Sequence, residues 1–329
     1  MSWSKFEGSD AEWDELALRL GSSSPFNSSA WGRHKGTSHW STTKCIYRIN
    51  EQVVSAAQIF VTKRMRIFAI GWIPGGIIGS SVVSADELIS FVKSISQSPI
   101  AYCRIAIHRP HAENLTFDLS KRGWHHAHSF IGSRETFVIR QIEGRLAHKT
   151  SLSSNWARNL ERGLKRDNNS SIWSQPNPHE IHLIMSQMAE FKKAKGPSHI
   201  ASVQELENLL REMRDDLIVI QTRNSDGSLL AIRAAFIIGG HAWDALAAAT
   251  PDGRKNYSSY VCFWKLLETL DDQGVNQFDL AGIDQENNEG VFNFKKGLGG
   301  ARETYVGEWD VATPSVIRHI VGKAISRLA

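Results

Sequence analysis

Apolar positions recur along the chain with two different periods, and these periods predict strands and helices. In residues 1–148, β-rich runs predict strands at Cys45–Asn50, Gln52–Val61, Arg66–Gly71, Tyr102–Ile107 and Glu135–Arg140. Leu88, Phe91, Val92 and Ile95 have helical spacing and predict a helix over Ala85–Gln97. This part of the chain is therefore predicted to be one α/β unit.

Residues 149–329 are predicted to form a second α/β unit. Ser153 or Ser154 can cap a helix with Trp156 and Leu160 on one face. The elements predicted beyond it are a strand at Ser171–Gln175, helices from about Pro178 and Ser202, a β-meander of Leu217–Arg223, Leu229–Ile238 and His241–Ala249, a helix at Ser258–Asp271 and a strand at Phe278.

Length and composition fit a soluble protein of two domains. At 329 residues the chain exceeds the size at which one core keeps growing. A net charge of +4 does not by itself indicate a nucleic-acid-binding protein. The three cysteines are odd in number, so no disulfide framework or zinc site is expected. Without a signal sequence or a run of about 20 apolar residues, the protein is expected to be cytoplasmic, with at most peripheral membrane contact.

The most informative stretch lies near the C-terminus. A buried strand, Phe278–Ile283, is followed by an acidic polar loop to Gly290, by Phe294-Lys295-Lys296-Gly297 and by Tyr305–Asp310. The two lysines present cations beside a glycine at which the backbone can approach a ligand. An extended conformation would point Lys295 and Lys296 to opposite sides. Surface lysines are common, but the whole combination is rare and indicates an acyl-transfer site.

These residues resemble the C-terminal signature of the Fem family of aminoacyltransferases, which add amino acids from aminoacyl-tRNA to peptidoglycan precursors. The resemblance implies an α/β (α+β) fold of two tandem GNAT-like domains (the acyl-CoA N-acyltransferase fold) without an inserted coiled-coil arm. Residues 1–148 would bind the acceptor, and residues 149–329 would bind the donor and carry out catalysis. No close sequence repeat links the halves, so the tandem arrangement depends on element order and on the resemblance.

Residues in the first half resemble the family's acceptor-binding elements. The run Pro25–Trp31, followed by Lys35 and Trp40, is similar to an early aromatic-Gln-Ser…Trp…Lys…Trp element, with Asn27 in place of glutamine. Lys35 matches the lysine that binds the diphosphate of a nucleotide-sugar or lipid-linked cell-wall precursor, and an ammonium group suits phosphate. A solvated lysine beside structural tryptophans is the alternative.

A second run of the first half also resembles the family. Gly71–Gly79 is similar to Tyr-(Ile/Val)-Pro-Arg-Gly-Pro, with Gly75 in place of arginine, and Arg109 replaces a frequent acidic residue. The residues predicted to bind the acceptor are Lys35, Trp31, Trp40, Trp72 and Gly75.

In the second half, the basic helix Asn155–Arg166 resembles a segment that contacts the donor, although charged helices are often only solvated. The residues predicted to bind aminoacyl-tRNA are Arg158, Arg162, Lys193, Lys195, Lys296 and Gly297. Lys295 and Phe294 are predicted to be catalytic, with Lys295 stabilising the oxyanion of ester aminolysis. No metal or cofactor is expected, and three histidines at 125, 126 and 128 would be split between the faces of a strand.

Three alternatives remain open. The nearest is an acyl-CoA-dependent N-acyltransferase that modifies an amino sugar or another envelope polysaccharide component. It is disfavoured because Asp252–Ser259 lacks the glycine pattern of a pyrophosphate cradle. The second uses aminoacyl-tRNA outside peptidoglycan synthesis, and the third is a non-catalytic nucleic-acid or glycan-binding module.

Overall fold

The chain forms two compact units in a computed structural model, which describes residues 2–64, 66–79, 83–142, 151–192 and 200–326. The first unit comprises residues 1–135 and 303–329, and the second comprises residues 136–302. This division differs from the predicted one because the second unit starts earlier and the last strand and helix belong to the first unit. The predicted boundary between residues 148 and 149 lies outside the described residues.

The helices and strands are numbered in chain order. The helices are α1 Asp10–Arg19, α2 Ser29–Gly36, α3 Ala85–Ser96, α4 Glu113–Lys121, α5 Ser154–Leu164, α6 Pro178–Lys192, α7 Val203–Glu212, α8 Pro251–Lys255, α9 Ser258–Asp272, α10 Glu289–Lys296 and α11 Val316–Ser326. The strands are β1 Ser2–Lys5, β2 Ser41–Ile49, β3 Gln52–Arg64, β4 Phe68–Ile73, β5 Ile78–Gly79, β6 Ile100–Pro110, β7 His125–His126, β8 Glu135–Arg140, β9 Asn169–Ile172, β10 Leu217–Arg223, β11 Leu229–Ile238, β12 His241–Ala249, β13 Gln277–Gly282 and β14 Ala301–Thr313. Among the described residues, no helix combines the length and the apolar composition that crossing a bilayer requires.

In the first unit the strands are ordered β1-β2-β3-β4-β6-β14. β2, β3 and β4 form an antiparallel meander, and α3 connects β4 to the parallel strand β6. Leu88 and Val92 lie on the buried face of α3, as the helical spacing predicted, together with Ile89, whereas the predicted Phe91 and Ile95 are partly buried. β14 pairs with β6 from Tyr305 to Thr313, and this pairing is the reason that the C-terminal strand belongs to the first unit.

In the second unit the strand order is β8-β13-β12-β11-β10-β9. The predicted antiparallel meander is confirmed as β10, β11 and β12. α9 packs against it and connects β12 to β13, which run parallel as a crossover helix requires. Within the described residues, β12 and β13 pair only at His241–Trp243 with Gln277–Asp279, whereas β12 continues to Ala249. Beyond Trp243, this edge of β12 therefore has no partner strand among the described residues. The candidate site lies at this opening in the sheet.

Candidate active site

A cavity of about 440 Å³ lies in the second unit beside the open part of β12. This volume falls in the range of about 300–1,000 Å³ typical of small-molecule sites. The apolar residues that line it include Ile232, Ala247 and Ala248. The aromatic residues lining it are Tyr257, Tyr260 and Phe294, and the charged ones are Arg233, Asp244, Arg254 and Lys295. Three of these four charges are positive, so the cavity suits a ligand atom that carries or develops negative charge.

Lys295 points into this cavity from α10. Its side chain is buried, and its Nζ donates hydrogen bonds to the carbonyl oxygens of Gly282 at 2.9 Å and Ala281 at 3.4 Å. The prediction of an extended segment is wrong, because residues 289–296 form a helix. Consecutive helical residues are rotated by about 100°, so Lys295 is buried while Lys296 is exposed and lies 5.9 Å from the centroid of the Phe292 ring.

A β-bulge in β13 turns the two carbonyl groups toward Lys295. The pairing register of β13 with β8 shifts between Asp279 and Gly282. Ala281 has a left-handed conformation with φ of 56°, which is uncommon for a residue with a side chain. Asp279 stabilises it by accepting hydrogen bonds from the Ala281 N–H at 2.8 Å and the Thr136 hydroxyl at 2.6 Å. The strand that ends at Gly282 was predicted, but this role of Asp279 was not.

Asp244 and Arg233 form a buried ion pair at the same cavity. The carboxylate accepts from Arg233 Nε at 2.8 Å and Nη2 at 2.6 Å, and the Lys295 Nζ lies 3.7 Å from Asp244 Oδ2. The Arg233 guanidinium is 4.7 Å from the centroid of the Phe263 ring and 5.6 Å from that of Phe294. Sequence reasoning missed this pair, although charged residues inside otherwise apolar strands were a usable signal.

The environment of Lys295 acts on its pKa in opposite directions. Burial lowers the pKa of the ammonium, the Asp244 carboxylate raises it, and Arg233 lowers it, with Asp279 adding a smaller increase. The net effect is a lowered pKa. The charged form of Lys295 is therefore favoured by the Asp244 carboxylate and opposed by burial and by Arg233.

The predicted donor-binding residues occupy different places. Arg162 of α5 is exposed, and it donates a hydrogen bond to the hydroxyl of Tyr257 at 3.3 Å with its guanidinium 5.7 Å from that ring. Because Tyr257 lines the cavity, the basic face of α5 reaches the cavity rim. Arg158 is exposed and donates to Asn155 at 2.8 Å. Gly297 packs against Trp156, and Lys193 and Lys195 lie outside the described residues.

The predicted acceptor-binding residues all lie in the first unit, and four of them form two pairs. Lys35 of α2 places its Nζ 5.2 Å from the centroid of the Trp31 ring. Trp40 and Trp72 contact each other with ring centroids 6.0 Å apart. Trp40 also lines a polar cavity of about 490 Å³ together with Gly32 and Gly36 of α2.

Gly75 has a structural partner in the same unit. Its carbonyl oxygen accepts a 3.0 Å hydrogen bond from Asn27 Nδ2, and a side chain at position 75 would collide with the Asn27 amide. The two departures from the Fem pattern, at positions 27 and 75, therefore meet in one contact.

The histidines that could suggest a metal have other surroundings. His126 contacts Trp309 with ring centroids 3.7 Å apart, and the side chain of His128 lies close to Gly322 of α11. In the ranges of the chain that the structure describes, no group of three or more His, Cys, Asp or Glu residues could hold a metal ion.

A comparison with protein families finds a match within the second unit. Residues 154–296, which contain the cavity, match the family model of the acetyltransferase (GNAT) domain. This part of the chain is thus similar to a GNAT acyltransferase domain. The match confirms the prediction that the protein is an acyltransferase. No curated protein sequence matches the chain.

Solved structures with little sequence identity share the fold. The crystal structure of FemX is 12% identical, with a TM-score of 0.81 over 97% of this chain and 100% of that one. A tandem GNAT protein from the clavulanic acid biosynthesis pathway is 10% identical, with a TM-score of 0.60 over 94% and 98%. The C-terminal domain of a putative lysylphosphatidylglycerol synthetase from Agrobacterium fabrum is 14% identical, with a TM-score of 0.55 over 95% of each chain. The predicted tandem GNAT fold and the likeness to Fem proteins are thus confirmed in architecture.

Proposed function

We propose that the protein is an aminoacyltransferase that joins an aminoacyl group from aminoacyl-tRNA to an amine of a peptidoglycan precursor. The observation that carries the proposal is the buried Lys295 ammonium in a cavity whose rim continues, through Tyr257 and Arg162, into the exposed basic face of α5. A cationic surface with aromatic rings suits the end of a single-stranded nucleic acid. A buried cation suits the chemistry at the ester.

In the proposed reaction the nitrogen of the acceptor amine attacks the ester carbonyl carbon. A C–N bond forms, the carbonyl oxygen becomes an oxyanion and the bond to the tRNA ribose oxygen then breaks. The proton lost by the amine ends on the released hydroxyl group of the tRNA. Lys295 stabilises the oxyanion, because a fixed ammonium in a buried site interacts with it strongly. The ester is already an activated donor, so the reaction requires neither a metal nor a cofactor.

An acyl-CoA-dependent N-acyltransferase acting on an amino sugar is the second candidate, favoured by the match of residues 154–296 to an acetyltransferase domain. The segment Asp252–Ser259, where a pyrophosphate cradle would lie, argues for the tRNA donor. There Gly253 is buried in α8, and a side chain at this position would collide with the Leu230 carbonyl oxygen. This glycine therefore serves the packing of α8 on β11.

Two parallel assays test the donor. The protein is incubated with tRNA charged with radiolabelled amino acids and a nucleotide-sugar peptidoglycan precursor, and separately with acetyl-CoA and an amino sugar. We expect label in the precursor and no thiol release. Thiol release without label transfer would support the CoA-dependent enzyme instead.

We expect Arg162→Gln to raise the apparent KM for aminoacyl-tRNA several-fold with little change in kcat, because a phosphate contact persists from the ground state to the transition state. The effect should shrink as salt increases. Arg211→Gln is the matched control, since Arg211 is an exposed helical arginine of α7 paired with Glu212. An equal effect of the two substitutions, or one that is independent of salt, would contradict a role for α5 in donor binding.

Lys35→Ala tests the acceptor site. We expect it to raise the apparent KM for the precursor more than it lowers kcat, because a diphosphate contact acts in binding rather than in the chemical step. Initial rates measured at varied precursor concentration check this. An unchanged KM would indicate that Lys35 is only a solvated lysine that contacts Trp31.

A further inference from the structure

Lys295 is held by groups of two strands, one of which is fixed in turn by a residue of a third strand. Its Nζ bonds the Gly282 carbonyl of β13 at 2.9 Å and lies 3.7 Å from Asp244 Oδ2 of β12. Asp244 is in turn fixed by both bonds from Arg233 of β11, and the two side chains are 8% and 9% exposed. A flexible lysine side chain therefore has a defined position in the cavity.

The ion pair is more than a structural cross-link between β11 and β12. A buried ion pair often contributes little net stability, yet this one borders a cavity in which a third charge, Lys295, lies beside it. Without Asp244 between them, Arg233 would repel the Lys295 ammonium. Because both lie beside the Asp244 carboxylate, the cations Arg233 and Lys295 can lie close together where negative charge develops in the reaction.

We propose that Asp244 is a positioning residue, anchored by Arg233, whose carboxylate holds the Lys295 ammonium charged and directed into the acyl-donor cavity. The inference deepens the proposed function and rests on it for the catalytic role of Lys295. It adds two residues, Asp244 and Arg233, whose substitution should act on the reaction through Lys295.

The two partners should shift the titration of Lys295 in opposite directions. The charged groups that act on its pKa are Asp244, Arg233 and Asp279, and the other titratable groups of the cavity are Arg254, Tyr257 and Tyr260. Asp244→Asn removes an attraction and should lower the Lys295 pKa. Arg233→Met removes a repulsion and frees Asp244 for Lys295, so it should raise the pKa. General loosening of the fold cannot produce opposite shifts.

The experiment labels the whole protein with acetic anhydride at a series of pH values. Digestion and mass spectrometry then give the rate at which Lys295 is labelled at each pH. Only the neutral amine reacts, so the pH profile gives the pKa. At a pH below that pKa, we expect about tenfold faster labelling of Lys295 in Asp244→Asn and correspondingly slower labelling in Arg233→Met. Lys296 serves as the internal reference, and Asp252→Asn, which removes an exposed ion pair with Lys255, is the matched control.

Labelling needs no turnover, so it separates this inference from the proposed function. If no aminoacyl transfer is found, opposite pKa shifts would still support the positioning role. If transfer is found, the alkaline limb of kcat should move with the Lys295 pKa. Unchanged profiles, or shifts of the same sign in the two variants, would overturn the proposal. Should Asp244→Asn fail to fold, a lowered or unchanged Lys295 pKa in Arg233→Met would overturn it alone.

Discussion

Replacing Lys295 by methionine is expected to lower kcat by roughly 10²–10³, the usual loss for one oxyanion contact. Methionine keeps the length and apolar stem of lysine and removes the charge, so the packing of α10 should survive. Of the two cations that remain at the cavity, Arg233 and Arg254, Arg233 is bound to both oxygens of Asp244 and is not available to replace the lost ammonium. Initial rates with labelled aminoacyl-tRNA, together with the melting temperature, check this prediction.

The same substitution at two further lysines provides controls. Lys296→Met should cause a much smaller loss, since this side chain is exposed and lies over Phe292. Lys255→Met should leave kcat unchanged, because Lys255 is an exposed residue of α8 paired with Asp252. Wild-type turnover of the Lys295 variant, with either aminoacyl-tRNA or acyl-CoA, would contradict the proposed mechanism without affecting the assignment of the fold.

The meander and its crossover helix could be predicted because local pattern and tertiary environment agree there. The β-rich runs of β10, β11 and β12 and the apolar positions of α9 each match the core that buries them. α10 is different. It is short, begins without a side-chain cap, and ends at Gly297. Its stability comes from Phe292 in the core and Phe294 packed against it rather than from local propensity, so the sequence alone suggested an extended segment.

The Arg233–Asp244 pair could not be found from spacing, because it depends on strand register. A bulge between Ala234 and Ala235 shifts the pairing of β11 with β12, so that Asp244 lies opposite Ala235 and Ala247 lies opposite Arg233. A shift of one residue would send a side chain to the other face of the sheet. The sequence contains both residues but does not show where the bulge lies.

The contact of Asn27 with Gly75 illustrates a second limit. Sequence reasoning identified both positions as departures from the Fem pattern, 48 residues apart, and treated them separately. In the structure the Asn27 amide occupies the space that a side chain at position 75 would need. Compensation of this kind depends on packing between distant segments, which a single sequence does not reveal.

Arg104→Met is expected to lower the free energy of unfolding by about 3–5 kcal/mol, because it leaves a buried carboxylate without its cation. Arg104 of β6 is 2% exposed, and its Nε lies 2.5 Å from Glu308 Oε2 on β14. The other Glu308 oxygen accepts from the N–H groups of Ile131 at 2.9 Å and Gly132 at 2.8 Å. The carboxylate thus joins two strands of the first unit to a loop, and losing its partner should weaken all three.

Urea denaturation measures the loss, with two variants for comparison. Adding Glu308→Gln to Arg104→Met should recover part of the stability, because the amide is neutral and its oxygen can still accept from the loop. Arg211→Gln breaks an exposed pair and should change stability by less than about 1 kcal/mol. If Arg104→Met costs no more than Arg211→Gln, the buried pair is not what holds β6, β14 and the loop together. A double variant less stable than Arg104→Met alone would instead show that the Glu308 charge is satisfied by the loop N–H groups without Arg104.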